Sequence, residues 1–215
     1  MFGDYWLRDK KFAETKLRIL QVFLNKLDEK EFDDISVVEI CKDSEISYKT
    51  FFNYFEKKSD LLSYYLQFWS IECQYIMSWF SNLSFEDKVS KIFDLVAENY
   101  KNNFKVIKEI VAFLALSRHE IDSKNLTKAE YSIRFPKYEW IEKFSYLRID
   151  DILKPYYEEA LSSWEISKKI DSEVLFSMIR SIFFWVILSV KNWDTEKIKM
   201  LYREQLSMVW KAIKK

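Results

Sequence analysis

Residues 37–55 read VVEICKDSEISYKTFFNYF, and their spacing decides the fold. Ser36 and Glu39 form the S-x-x-E signature of a capping box in front of a short helix, about 36–42. Asp43-Ser44-Glu45-Ile46 is a turn, because Asp and Ser side chains bond nearby backbone groups, and Ser47 is placed to cap a second short helix ending near Asn53. Val37, Ile40 and Cys41 give the first helix an inward face; Ile46, Thr50, Phe51 and Phe55 do the same for the second. Two short helices joined by a tight turn make a helix-turn-helix. That leaves Tyr48, Lys49, Phe52, Asn53 and Tyr54 to point outward. Such a row suits a DNA major groove better than water. Lys reaches guanine acceptors, Asn pairs bidentately with adenine, and rings touch thymine methyls or phosphates.

Working outward, the apolar residues Phe12, Ile19, Leu20, Phe23, Leu24 and Leu27 mark an amphipathic helix over about 11–28. On the other side a long helix is expected from Lys58 to about Ser81, then one from about Ser84 to Asn102 and another from Phe104 to Ser117. His119 to Lys128 reads as a polar connection. An aromatic helical segment, about 129–147, should break near Pro136, which disfavours helical geometry at Phe135. Asp150 or Asp151 is expected to cap a helix carrying Pro155 in its first turn. Asp171 caps the helix containing the apolar run Ile182 to Val190, Asn192-Trp193-Asp194 is a turn, and Thr195 begins the last helix. The chain is therefore expected to be all-α, with about nine helices.

Composition narrows the function. The 215 residues include one Gly, two Pro, two Cys and one His. Without glycine the backbone cannot open to cradle a phosphate, so P-loops and dinucleotide fingerprints are excluded. His119, Cys41 and Cys73 cannot make a zinc site of the usual type or a disulfide framework, so no metal and no cofactor is expected and a reducing, cytoplasmic setting fits. Cys41 reads as a small buried hydrophobe. The N-terminus lacks a secretory pattern, and the apolar run at 182–190 falls short of the roughly 20 residues that span a bilayer, so it reads as a buried helix and no membrane partner is expected.

At these residues the chain resembles the tetracycline-repressor (TetR) family of one-component regulators. The match runs through Ile19-Leu20, Phe32, Ser36-Val37, Ile40-Cys41, Ile46-Ser47, Thr50, Phe51-Phe52, Tyr54-Phe55 and Lys58. The resemblance implies a helix-turn-helix DNA-binding domain over 1–62 and a helical ligand-binding and dimerisation domain over 63–215. It implies a homodimer that binds a double-stranded DNA operator and is released by a small-molecule effector, with DNA contacts from Ser36, Ser47, Tyr48, Lys49, Thr50, Phe52, Asn53, Tyr54 and Lys58. An α-helical enzyme, or a protein-binding adaptor that has left DNA behind, is the alternative; the first lacks a visible nucleophile, base or carboxylate pair.

The chain departs from the family where glycine is usual, at Glu31, Glu45 and Lys49. Glu31 and Glu45 are expected strain points, since a left-handed backbone costs a non-glycine residue about 1–2 kcal/mol. Lys49 gains helix propensity and a charge. Residues 1–62 carry 11 Lys/Arg against 13 Asp/Glu, although Ser47 to Phe55 has one base and no acid. Lys58 is expected to hold a phosphate at a helix start, and Arg8, Lys10 and Lys11 precede the first helix.

Further along, Phe113, Tyr138, Trp140, Phe144, Tyr156 and Phe176 lie on helices that by resemblance surround an apolar or aromatic ligand, though each also reads as plain core. The last two helices are amphipathic, and the first of them is apolar nearly all round. Met178, Ile182, Trp185, Val186, Leu201, Val209 and Trp210 are therefore expected to dimerise as an isologous four-helix bundle.

Overall fold

A computed structural model describes residues 2–116, 125–166, 170–190 and 194–213. His119 and the Asn192-Trp193 half of the expected turn lie outside the described residues. Among the described residues there is no strand, and nine α-helices follow in order: α1 Phe2–Glu29, α2 Val37–Asp43, α3 Tyr48–Tyr54, α4 Asp60–Met77, α5 Phe85–Leu116, α6 Lys128–Arg134, α7 Ile149–Ser162, α8 Ser172–Ser189 and α9 Thr195–Ile213. Short 3-10 turns at Phe32–Asp34 and Ile141–Lys143 complete them.

Several expected boundaries move, each for a local reason. Helix α1 starts at Phe2, nine residues before the apolar periodicity begins, so Arg8, Lys10 and Lys11 are helical and do not form an arm ahead of it. Helix α4 begins at Asp60, whose carboxylate accepts the N–H groups of Glu56 and Lys57 at 2.9 and 3.0 Å. The break expected between Asn102 and Phe104 is present: within α5 Asn103 takes non-helical angles of φ −137° and ψ 36°, so the run is two helices joined at a kink. Helix α6 stops at Arg134, before Pro136, as proline sterics require. Helix α7 begins after Arg148, with Asp150 and Asp151 inside its first turn, where they complement the helix dipole without capping it; Pro155 lies deeper in the helix than expected.

The chain divides into two compact units: Met1–Glu72 with Glu109–Tyr146, and Cys73–Lys108 with Leu147–Lys215. This division does not follow a cut at residue 62, because a segment distant in sequence joins the first unit. A buried carboxylate helps to hold that segment in place. Glu130 of α6 is 2% exposed. Its Oε1 accepts from the Lys16 ammonium at 2.9 Å and from the Tyr64 hydroxyl at 2.6 Å, and its Oε2 accepts from the Thr127 N–H at 2.7 Å. The Lys16 ammonium also lies 4.0 Å from the Tyr64 ring centre and 5.8 Å from that of Phe55. One charge pair thus ties α1, the end of α3, α4 and α6 together.

The second unit is built on aromatic packing. Phe93 meets Tyr202 at 4.7 Å and Phe183 at 5.4 Å, and Phe85 meets Trp210 at 5.8 Å. Lys88 is buried there, bonded to Glu159 at 2.7 Å.

Glycine scarcity is met by non-glycine residues in left-handed geometry. Trp164 (φ 61°) ends α7, the following Glu165 N–H donates to Ala160 O at 3.0 Å, and the Glu165 carboxylate accepts the first N–H of α5, that of Phe85, at 2.8 Å. Glu45 (φ 53°) ends α2 in the same way. Glu31 has φ −71° and ψ 155°, ordinary extended backbone, so the expected strain is absent there.

Two outcomes follow for stability. Replacing Glu45 by Gly removes a left-handed penalty of about 1–2 kcal/mol and adds about 0.5–1 kcal/mol of unfolded-state freedom, so urea unfolding should show a net gain of up to about 1 kcal/mol; Glu31→Gly should show a loss. For Glu130, burial opposes ionisation, but Lys16, the Thr127 N–H and the Tyr64 hydroxyl outweigh it and hold the carboxyl below its ordinary range. That stabilisation is complete above the unfolded value of about 4.3 and is lost as pH falls through the lower folded value. Glu130→Gln should cost about 3 kcal/mol at pH 7, and its deficit against the parent protein should shrink below about pH 4; a constant deficit would contradict the pairing.

Candidate nucleic-acid interface

The corner of the helix-turn-helix is a complete Schellman motif. Glu45 N–H donates to Lys42 O at 3.1 Å and Ile46 N–H to Cys41 O at 3.0 Å, with Glu45 in the left-handed position. These bonds satisfy the last carbonyls of α2 and set the direction in which α3 departs. At the start of α2, Ser36 Oγ accepts from Glu39 N–H at 3.2 Å while Glu39 Oε2 accepts from Ser36 N–H at 3.0 Å, the reciprocal box read from sequence. The Lys30 ammonium and the Ser36 donors hold the Glu39 carboxyl down at about 2. At the start of α3, Ser47 Oγ accepts from Thr50 N–H at 3.0 Å and lies 2.7 Å from Thr50 Oγ1.

Behind α3, Phe51 and Phe55 are buried, with Ile40 and Cys41 buried in α2. In front, Ser36, Ser47, Lys49 and Asn53 are exposed, as are the rings of Tyr48 (56%) and Phe52 (41%). Thr50 is half-buried. Tyr54 is half-buried too, because its ring packs 4.5 Å from Phe12 of α1. Sequence reasoning missed this contact, since it joins residues far apart in sequence. Beside it lies a cleft of about 400 Å³ lined by Leu7, Arg8, Lys11, Phe12, Thr15 and Tyr54, which sets two cations next to the end of α3.

Lys58 is a correction. Its ammonium is turned inward, donating to Phe32 O at 2.5 Å and Ile35 O at 2.7 Å and lying 4.2 Å from the Phe32 ring centre. Burial pulls its pKa below the ordinary lysine value, against the pull of Asp33, Asp34 and Glu109. The adjoining N–H groups of α4 are occupied as well: Asp60, Leu61 and Leu62 donate to Lys57 O, Lys58 O and Ser59 O. This lysine clamps the turn after α1 to the start of α4, and in this arrangement it does not offer its charge to a phosphate.

The six aromatic residues expected around a ligand fall in different units. Phe113, Tyr138, Trp140 and Phe144 belong to the first, where Tyr138 hydroxyl donates to Glu72 Oε1 at 2.6 Å and Phe144 O accepts from Tyr131 at 2.5 Å. Tyr156 and Phe176 belong to the second; the Lys88 ammonium covers Tyr156 at 4.8 Å, and Phe176 packs 5.4 Å from Tyr157. All six are half-buried.

Of the residues expected to dimerise, Val186, Val209 and Trp210 are buried in the second unit's own core and are corrected on that ground. Met178 and Trp185 (66%) are exposed, and Ile182 and Leu201 are half-buried. Leu188 on α8 is exposed as well, as are Val174, Met200 and Met208 (68%), which were not among the expected dimer residues. A helix apolar on every side gives no periodic signal of which side is outer. Helix α8 is therefore not the buried helix expected: it is long and apolar enough to cross a membrane by length and composition, only 28% of it is buried, and its Arg180 pairs with Asp150.

No family model matches the chain, and no curated protein matches it. Solved structures do. Salmonella enterica GusR aligns with a TM-score of 0.61 at 18% identity, covering 91% of this chain and 93% of that one. Thermus thermophilus FadR, a TetR-family transcriptional repressor crystallised with lauroyl-CoA, aligns with a TM-score of 0.60 at 14% identity over 89% and 93%. A TetR-family regulator from Chloroflexus aurantiacus aligns with 0.53 at 13% identity over 94% of both chains. The chain has the fold of the TetR-family transcriptional regulators.

The clamp assigned to Lys58 is checked by Lys58→Met. Two carbonyls lose their donor, so the variant should unfold with about 1–3 kcal/mol less stability in urea; unchanged stability would return the ammonium to solvent.

Proposed function

We propose that the chain is a cytoplasmic TetR-type transcriptional regulator, a homodimer that represses by binding an operator and is released by a small apolar or aromatic effector. The observation that carries this reading is the front of α3, where Tyr48, Lys49, Phe52 and Asn53 stand exposed on a helix whose caps and corner are fully bonded. A scaffold that fixes a short helix so completely and leaves two rings, a cation and an amide in water is arranged for base edges. Arg8 and Lys11 in the adjoining cleft supply backbone contacts in place of Lys58; at the start of α3 Ser47 and Thr50 share one hydrogen bond and keep one hydroxyl proton for phosphate, while the Ser36 hydroxyl is spent on Glu39.

Dimerisation is supported by the apolar stripe on α8 and α9. Met178, Trp185, Val174, Leu188, Met200 and Met208 form more exposed apolar surface than isolated residues would, and a two-fold partner hides such a stripe with its own copy. Two recognition helices then meet half-sites about 34–36 Å apart, or at a wider matched spacing. Helices α4 and α5 each run from one compact unit into the other. They are the elements by which an effector that prefers one arrangement of the units shifts the population of DNA-matched dimers. Phe113, Tyr138, Trp140 and Phe144, all in the first unit, are the proposed effector contacts. The lauroyl-CoA held by the Thermus thermophilus protein is consistent with an apolar one.

The test is duplex selection followed by fluorescence anisotropy with the full chain. Binding should resist nonspecific competitor and weaken with salt. Asn53→Ala should relax preference at one or two base pairs by about 1–3 kcal/mol each, whereas Arg8→Ala with Lys11→Ala should weaken all sequences alike and reduce the salt slope by about 1–2. Binding that competitor abolishes would overturn the proposal.

A further inference from the structure

We infer that Tyr48 and Phe52 form an apolar wedge that reads the C5-methyl groups of thymine in the operator, so that sequence recognition by this chain rests on methyl contacts as much as on hydrogen bonds. The inference rests on the DNA-binding reading above and specifies its ligand.

Tyr48 is the first residue of α3, and Phe52 follows one turn later on the same face. Their rings meet edge to face with centres 4.8 Å apart, and Phe52 is backed at 5.3 Å by Phe51, which is fully buried. The pair is therefore a rigid unit standing on the core, about half of it in water. Phe52 has neither donor nor acceptor. It gains nothing against a phosphate oxygen, and set over the cytosine amino group or the guanine acceptors it would strip water from a polar edge without replacing the bond. The thymine methyl is the apolar group that a major groove presents, and covering it gains the transfer free energy of about one methyl.

The surroundings favour a nucleic acid over a protein partner as occupant. From Ser47 to Phe55 the chain has no acidic residue, Lys49 lies between the two rings in sequence, and the exposed Lys57 follows the helix. Lys49 and Asn53 directly follow Tyr48 and Phe52 in sequence, so the thymine should neighbour the positions those polar residues read.

The experiment uses the duplex selected with the full-length protein. Each thymine of one half-site is replaced in turn by deoxyuridine, which keeps every hydrogen-bonding group and lacks only the methyl, and affinity is measured by anisotropy. At one or two positions the parent protein should lose about three- to fivefold in affinity per methyl. Phe52→Ala, and Tyr48→Ala as a second variant, should bind the thymine and uracil duplexes equally at those positions, with unchanged helical circular dichroism. Phe52→Leu, which keeps an apolar contact, should retain part of the discrimination. Equal affinity of the parent protein for the thymine and uracil duplexes at every position overturns the wedge while leaving DNA binding intact. Failure to select any duplex overturns the DNA-binding reading, and the wedge with it.

Discussion

The buried pair of Lys16 and Glu130 fixes the first unit. A carboxylate taken out of water costs several kcal/mol unless its oxygens are answered, and Glu130 is answered by an ammonium, a phenol and a backbone N–H. The ammonium that answers it also lies over Tyr64 and Phe55. Phe12, one helical turn before Lys16, packs on Tyr54. A single face of α1 therefore holds the last residue of the recognition helix and the residue that ends it. The direction of α3 thus depends also on a contact between residues 114 apart in sequence.

Charge follows the same logic. The acidic excess of residues 1–62 looks unfavourable for a DNA-binding domain, but part of it is consumed internally. Asp43 and Glu39 of α2 pair with Lys26 and Lys30 near the end of α1, and Asp60 is spent on the backbone before α4. These pairs are exposed enough to contribute little stability, yet they remove acid from the potential near α3. Arg8, Lys11, Lys49 and Lys57 remain around the recognition helix as its exposed cations. The near absence of glycine is absorbed just as locally, by Glu45 and Trp164 in the left-handed positions of two Schellman corners.

What the sequence made legible was local. The capping box at Ser36 and Glu39, the cap at Ser47, the inward Phe51 and Phe55 and the strain at Glu45 depend on residues within five positions of one another, and hydrogen-bond geometry at that range leaves few choices. What it hid was long-range. Nothing near Lys58 signals that its ammonium turns back to Phe32 and Ile35, and nothing near residue 130 signals Lys16. The outer stripe of α8 was hidden for another reason: its hydrophobicity is nearly isotropic around the axis, so periodicity cannot separate Val186, in the core, from Trp185, in water.

The proposed dimer would present two stiffly mounted reading helices. Hydroxyl-radical footprinting of the full-length protein on its selected duplex tests that most directly. The account predicts two protected patches of backbone related by a two-fold axis and centred about one helical turn apart, or at a wider matched spacing, each covering a half-site of the same sequence read in opposite directions. A single unpaired patch, or protection that moves along the duplex without fixed register, would contradict it.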